Sequence, residues 1–139
     1  THGKVTARAG WEHLGGDGAT AVQAPLATLH AFNGWADQFL VTPAGGLEDR
    51  YVGAGGKAGR GRLDGRLAWA LAWHDYRADT GGRYGREWNA SLGFPLPAGL
   101  SGSVKLADYQ ADGFSRDTTK LWLQVEWRGS RVLAGGSDQ

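Results

Sequence analysis

The residues in this 139-residue chain whose types could do chemistry are the adjacent pair His74 and Asp75, the carboxylates Glu87 and Glu126, and a basic set of Lys4, Arg8, Arg66, Lys105, Lys120 and Arg128. A carboxylate that orients an imidazole is the working unit of general acid–base catalysis and of many metal sites. Neighbours on a strand point to opposite faces, so His74 and Asp75 cannot converge on one reacting atom without a bulge. The histidines His2, His13, His30 and His74 show no HExxH-type spacing. Paired carboxylates such as Glu87 and Glu126 cleave a glycoside only at a set separation, which sequence does not supply. The run Gly53-Ala-Gly-Gly-Lys-Ala-Gly59 evokes a phosphate loop, yet neither a Lys-Ser/Thr pair nor a helix follows it. With 0 Cys there is no thiolate ligand, thiol nucleophile, disulfide or redox pair. The expectation is a protein that is not an enzyme, with no catalytic residue, cofactor or metal.

The basic set suits a different chemistry. Fixed cations in a narrow, low-dielectric passage concentrate anions; Arg grips a carboxylate through two N–H groups, and Lys acts as a mobile point charge. Lys plus Arg number 15 against 14 Asp plus Glu, and a net charge of +1 offers no basic excess for nucleic acid. Set against Glu12, Asp64, Glu87 and Glu126, the basic group leaves a mild positive bias. Taken singly, each base is equally well explained by ion pairing that fills an interior and fixes register.

Strands must position these groups. Hydrophobic residues at 41% and aromatics at 11% exceed what a disordered tail carries, and 4 Pro without a Gly-X-Y period exclude collagen. The length allows one domain at most. Helical periodicity is scarce, whereas segments of about ten residues alternate apolar with polar or small side chains. In 63–76, Leu63, Leu67, Trp69, Leu71 and Trp73 fall on one face, and Asp64, Arg66, Ala68, Ala70, Ala72 and His74 on the other. In 118–128, Leu121, Leu123, Val125 and Trp127 oppose Lys120, Trp122, Gln124, Glu126 and Arg128. Segments 4–14, 84–94 and 100–109 repeat the scheme, Arg86 falling on the apolar face and so fitting only near a strand end. Segment 49–59 is Gly-rich and weakly patterned. The expectation is all-β with six strands, joined by a long connection at 15–48, medium ones at 78–83 and 111–117, and short ones at 60–62 and 95–99. Tight turns then lie at one end of the sheet and longer loops at the other.

No run approaches the roughly 18 consecutive apolar residues of a transmembrane helix. A membrane β-barrel remains, its outside apolar and its lumen polar. A soluble carbohydrate-binding β-sandwich shows the same alternation strand by strand and is the rival reading. The loop asymmetry, the strand length and the Trp and Tyr near strand ends favour the barrel. Six strands fall short of the roughly eight that close one, and open edges in hydrocarbon cost several kcal/mol per backbone group, so remaining strands or other copies must complete the sheet. The barrel segment is expected over 1–128, with 129–139 a polar tail; without an initiating Met or a basic n-region the chain reads as processed or a fragment.

In the connection 15–48, Leu26, Leu29, Phe32, Trp35 or Ala36, and Phe39 recur at near-helical spacing, and Thr28 or Asn33 could cap a turn. One reading is a helix or compact coil that folds back and gates the mouth through His30, Phe32, Trp35, Asp37 and Phe39; the other is an extracellular lid that packs only its own aromatics. Trp11, Trp73, Trp88 and Trp127 are expected in an interfacial girdle, and Trp122 on the lumen face, within reach of a substrate.

This connection reads Pro25-Leu-Ala-Thr-Leu-His-Ala-Phe-Asn-Gly-Trp-Ala-Asp-Gln-Phe-Leu-Val-Thr-Pro43, followed by Gly46-Leu-Glu-Asp-Arg-Tyr-Val-Gly53. Farther on come Trp73-His-Asp-Tyr-Arg-Ala-Asp79, Tyr84-Gly-Arg-Glu-Trp88, Lys105-Leu-Ala-Asp-Tyr109 and Thr118-Thr-Lys-Leu-Trp-Leu-Gln124. In this order the runs resemble the alginate export family of outer-membrane porins, of which the chain looks like the C-terminal third. The resemblance implies a segment of a monomeric barrel of about eighteen strands in the outer membrane of a Gram-negative bacterium. Such a barrel passes an anionic uronate polysaccharide outward without cofactor or catalysis. The chain departs from the family at its end, where Arg128 to Gln139 follow the last aromatic, Trp127. The expected function is passive export or diffusion of an alginate-like polysaccharide or another anionic solute. Arg8, Arg66, Glu87, Lys105, Lys120, Trp122 and Arg128 would line the pore, and the partners are the permeant, outer-membrane lipid and the missing strands or other copies.

Overall fold

The computed structural model describes residues 4–23, 33–59, 63 and 66–129. Six strands, β1 (Val5–Leu14), β2 (Leu47–Ala58), β3 (Leu67–Arg77), β4 (Arg83–Pro95), β5 (Leu100–Ala111) and β6 (Thr118–Trp127), form one sheet in chain order, each antiparallel to the next. The sheet is open, with β1 and β6 as its edges. The all-β expectation and the strand count hold. The boundaries shift, most of all at β3, which starts at Leu67 because the Leu63 carbonyl accepts the Arg66 N–H at 3.0 Å, so the chain is still turning there. Among the described residues no helix is long and apolar enough to cross a membrane, which has no bearing on crossing by strands.

Register turns the alternation of each strand into two continuous faces. One face carries the rows Ala9, Val52, Trp73, Trp88, Asp108, Thr119; Ala7, Ala54, Leu71, Ala90, Leu106, Leu121; and Val5, Gly56, Trp69, Leu92, Val104, Leu123. The other carries Gly10, Tyr51, His74, Glu87, Tyr109, Thr118; Arg8, Gly53, Ala72, Asn89, Ala107, Lys120; and Thr6, Gly55, Ala70, Ser91, Lys105, Trp122. Burial runs opposite to what water favours. On the apolar face Trp11, Val52, Leu71, Trp88 and Leu121 are exposed and Leu123 reaches 75%, whereas on the polar face Asp49 and Glu87 stand at 0%.

The polar face is covered at one end by residues 33–46 of the long connection. Phe39 is the centre of that packing, with ring centroids 4.5 Å from Tyr76, 5.3 Å from Phe114, 5.8 Å from Tyr84 and 6.1 Å from Tyr109. The Tyr109 hydroxyl donates to the carbonyls of Tyr84 at 2.6 Å and Phe114 at 3.0 Å, so the polar tip of this buried ring is satisfied. A β-bulge supplies Tyr84: pairing slips from Tyr76↔Gly85 to Arg77↔Arg83, and the extra residue turns into the core.

The loop stem is tied down by short-range hydrogen bonds. Asp17 Oδ1 accepts the N–H groups of Thr20 at 2.7 Å and Ala19 at 2.8 Å, which hold its carboxyl below the usual carboxylate range. Gln23 and Thr42 exchange two bonds of 3.0 Å, side chain to backbone in both directions. The near-helical spacing does not produce a helix at 33–46. Gly34 at φ 75° and Asp37 at φ 57° put two left-handed residues where a right-handed helix would have to run. Leu26, Thr28 and Leu29 lie outside the described residues.

Candidate functional site

The site forms where the loop meets the polar face, and alternation is what brings its members together. Asp49 on β2, His74 and Tyr76 on β3, Glu87 and Asn89 on β4, Lys105 on β5, and Lys120 and Trp122 on β6 all point to one side of the sheet. Onto them the loop lowers Trp35, Ala36 and Asp37.

Glu87 is the anchor. Its Oε1 accepts the consecutive backbone N–H groups of Trp35 at 2.5 Å and Ala36 at 2.8 Å, and the Tyr76 hydroxyl lies 3.5 Å from Oε2. Successive amides that follow a left-handed residue form a small concavity with partial positive charge, a natural seat for an oxyanion. Here a side chain of the same molecule fills it. Gly34 permits the approach: a Cβ at this position would fall on the Tyr76 hydroxyl and 2.6 Å from both Glu87 oxygens.

Two lysines make the remaining contacts. Lys120 Nζ donates to Asp37 Oδ2 at 2.9 Å, joining residues 83 apart in sequence. Lys105 Nζ sits 4.3 Å from the Trp35 ring centroid and 5.5 Å from that of Trp122, an ammonium within cation–π reach of two indoles. Next to the loop, Ser115 Oγ donates to Gln38 Oε1 at 2.6 Å, so the β5–β6 connection shares in the closure.

A buried polar core stands beside Glu87. His74 Nδ1 lies 2.9 Å from Asp49 Oδ2, and its ring stacks between Tyr51 at 5.5 Å and Tyr76 at 5.6 Å. As the alternation required, Asp75 turns to the opposite face, where it accepts from Arg77 Nε at 2.8 Å and an Arg83 terminal nitrogen at 2.6 Å. The histidine's partner is therefore Asp49, 25 positions away, which the adjacent spelling of His74 and Asp75 conceals. The Asn89 amide is fully buried one row from Glu87. The described residues contain no group of three or more His, Asp or Glu placed to hold a metal ion. Glu87, buried and engaged by the loop amides, is in this conformation committed to holding the loop.

Of the residues singled out from sequence, Glu87, Lys105, Lys120 and Trp122 from the sheet and Trp35 and Asp37 from the loop converge on this one site, and Phe39 fills the aromatic core beside it. His30 and Phe32 lie outside the described residues. Arg8 stands apart on β1, in register with Gly53 and exposed. Arg66 and Arg128 lie at the far, short-turn end, where with Lys57 they line an open concavity; Arg128 Nε donates to Glu126 at 2.8 Å. Asp49, Tyr76 and Asn89 were missed. Their parity on the strands was readable, but their proximity depends on inter-strand register.

No family model, curated protein or solved structure matches the chain.

Proposed function

We propose that this sheet is part of the wall of an outer-membrane β-barrel that conducts an alginate-like polyuronate or another anionic solute by passive diffusion, with the loop seated in the channel mouth. The observation that carries the reading is the inverted burial. In water, each exposed apolar side chain forfeits roughly 1.5–3 kcal/mol relative to a buried one. Acyl chains remove that cost, and a closed barrel also removes the unpaired edges of β1 and β6. The strands, 10 to 13 residues long, suit a tilted crossing. Trp73 and Trp88 stand beside the charged row of Arg50, Asp75 and Arg86 at the long-loop end, and Trp127 stands at the opposite end, an arrangement suited to two interfacial girdles. The motif runs that resemble the alginate export family support a barrel of about eighteen strands, with this chain as its last part. A soluble carbohydrate-binding sandwich would need a second layer over Leu71, Leu92 and Leu123, which the described residues leave uncovered.

The selectivity test is a double charge reversal in the intact barrel, Arg66→Glu with Lys105→Glu. Anion preference, read as the reversal potential across a bilayer in a salt gradient, is expected to fall. An unchanged reversal potential would overturn the assignment of these bases to the pore.

A further inference from the structure

Resting on the channel reading, we propose that the loop carries a stand-in for the permeant: Asp37 and Trp35 occupy the places that a carboxylate and a sugar ring of a polyuronate would take at Lys120, Lys105 and Trp122. A passing chain then opens the mouth by exchanging its carboxylate for that of Asp37. The contacts match such a ligand group by group. Asp37 presents a carboxylate to the Lys120 ammonium at 2.9 Å. Two positions earlier, Trp35 sets its ring centroid 4.3 Å from the Lys105 ammonium, against 5.5 Å for Trp122. Lys105 and Trp122 are register partners, and Lys120 stands one row away on the same face, so the three form one patch of wall. Indole faces and ammonium groups set side by side are what an acidic sugar requires, stacking for the ring and charge for its carboxylate.

The fastenings also differ in reach. The Glu87 side chain is wholly buried, whereas the side chains of Lys120 and Asp37 retain 35% and 19% exposure. An anion arriving along the polar face meets the Asp37–Lys120 pair before the Glu87 seat. Exchange at Lys120 leaves the Glu87 amide seat intact as a pivot, so the loop swings without leaving the sheet. The swap is ion for ion, with no bond made or broken.

The test is competition in the intact protein in detergent, with trimannuronate as the charged probe and trimannose as its neutral control, titrated by calorimetry against wild type, Asp37→Asn and Lys120→Met. Asparagine tolerates the left-handed backbone of position 37, and Asp37→Gly serves as a second variant that also fits it. Both substitutions at position 37 are expected to bind trimannuronate about fivefold more tightly than wild type, the effect of removing one partly exposed competing ion pair. Trimannose binding should stay unchanged, and Lys120→Met should bind trimannuronate more weakly than wild type. Equal or weaker trimannuronate binding by both position-37 variants would overturn the exchange. Bilayer conductance of the wild type reads the channel separately: tighter binding without conductance upholds the exchange site and sinks the channel, and conductance without a gain in affinity does the reverse.

Discussion

Gly34 is where the loop is most easily broken. Its φ of 75° suits glycine, and the space a methyl group would need is already filled by Tyr76 and Glu87. Gly34→Ala is expected to cost about 1–3 kcal/mol, through left-handed strain and displacement of the two amides from Glu87. Faster hydrogen exchange at the Trp35 and Ala36 N–H groups is the readout, and unchanged exchange would count against the seat. Glu87→Gln keeps the shape but removes the charge, and should weaken the same two bonds by roughly 1–2 kcal/mol. The stem responds to acid. Thr20 and Ala19 donors hold the Asp17 carboxyl low, and His13 together with the Gly16 N–H does the same for Asp79. Carboxyls whose folded pKa is depressed lend stability at every pH above their unfolded value near about 3.9, and withdraw it as pH falls through the folded value. The stem should therefore hold at neutral pH and loosen only below about pH 4, followed by the amide shifts of Ala19 and Thr20. A midpoint well above this range would take the switch away from Asp17 and Asp79.

At the scale of the strand, the two faces make opposite demands on a charge. Leu123 and Gln124 are neighbours on β6 that point to opposite sides. Leu123→Arg should destabilise the protein in a lipid bilayer by about 2–4 kcal/mol, while Gln124→Arg should be nearly neutral. Urea unfolding from vesicles separates them, and equal costs would remove lipid from the apolar face. The faces were legible in the alternation of 118–128 and 63–76, because strand period is a property of the chain alone. The bulge that aims Tyr84 inward was not, since it arises from a slip between β3 and β4 near their turn. Nor was the cage around Lys105, which requires β5 and β6 to pair with Lys105 opposite Trp122.

For the molecule as a whole, the consequence is an open sheet with two edge strands. β1 and β6 run antiparallel to each other because the strand count is even, so under the barrel proposal an antiparallel closing set would itself be even in number. An apolar face and two edges open to water should drive the 139-residue chain to associate when detergent is absent. Sedimentation is expected to show a polydisperse assembly that detergent disperses. A well-behaved monomer in plain buffer would argue for the sandwich and against the barrel wall.

The strands, their two faces, the excess of loop at one end and the residue types that gather on the polar side were all readable from the chain, since each of these follows from local alternation and turn chemistry. Tertiary structure alone decided that the polar face is the buried one, that His74 bonds Asp49 and not Asp75, and that Asp37 lands on Lys120 while Glu87 receives the amides of Trp35 and Ala36. Those outcomes depend on register and on the path of a loop across four strands, β3 to β6. Both are set by contacts between residues tens of positions apart, and periodicity along a single strand holds no record of them.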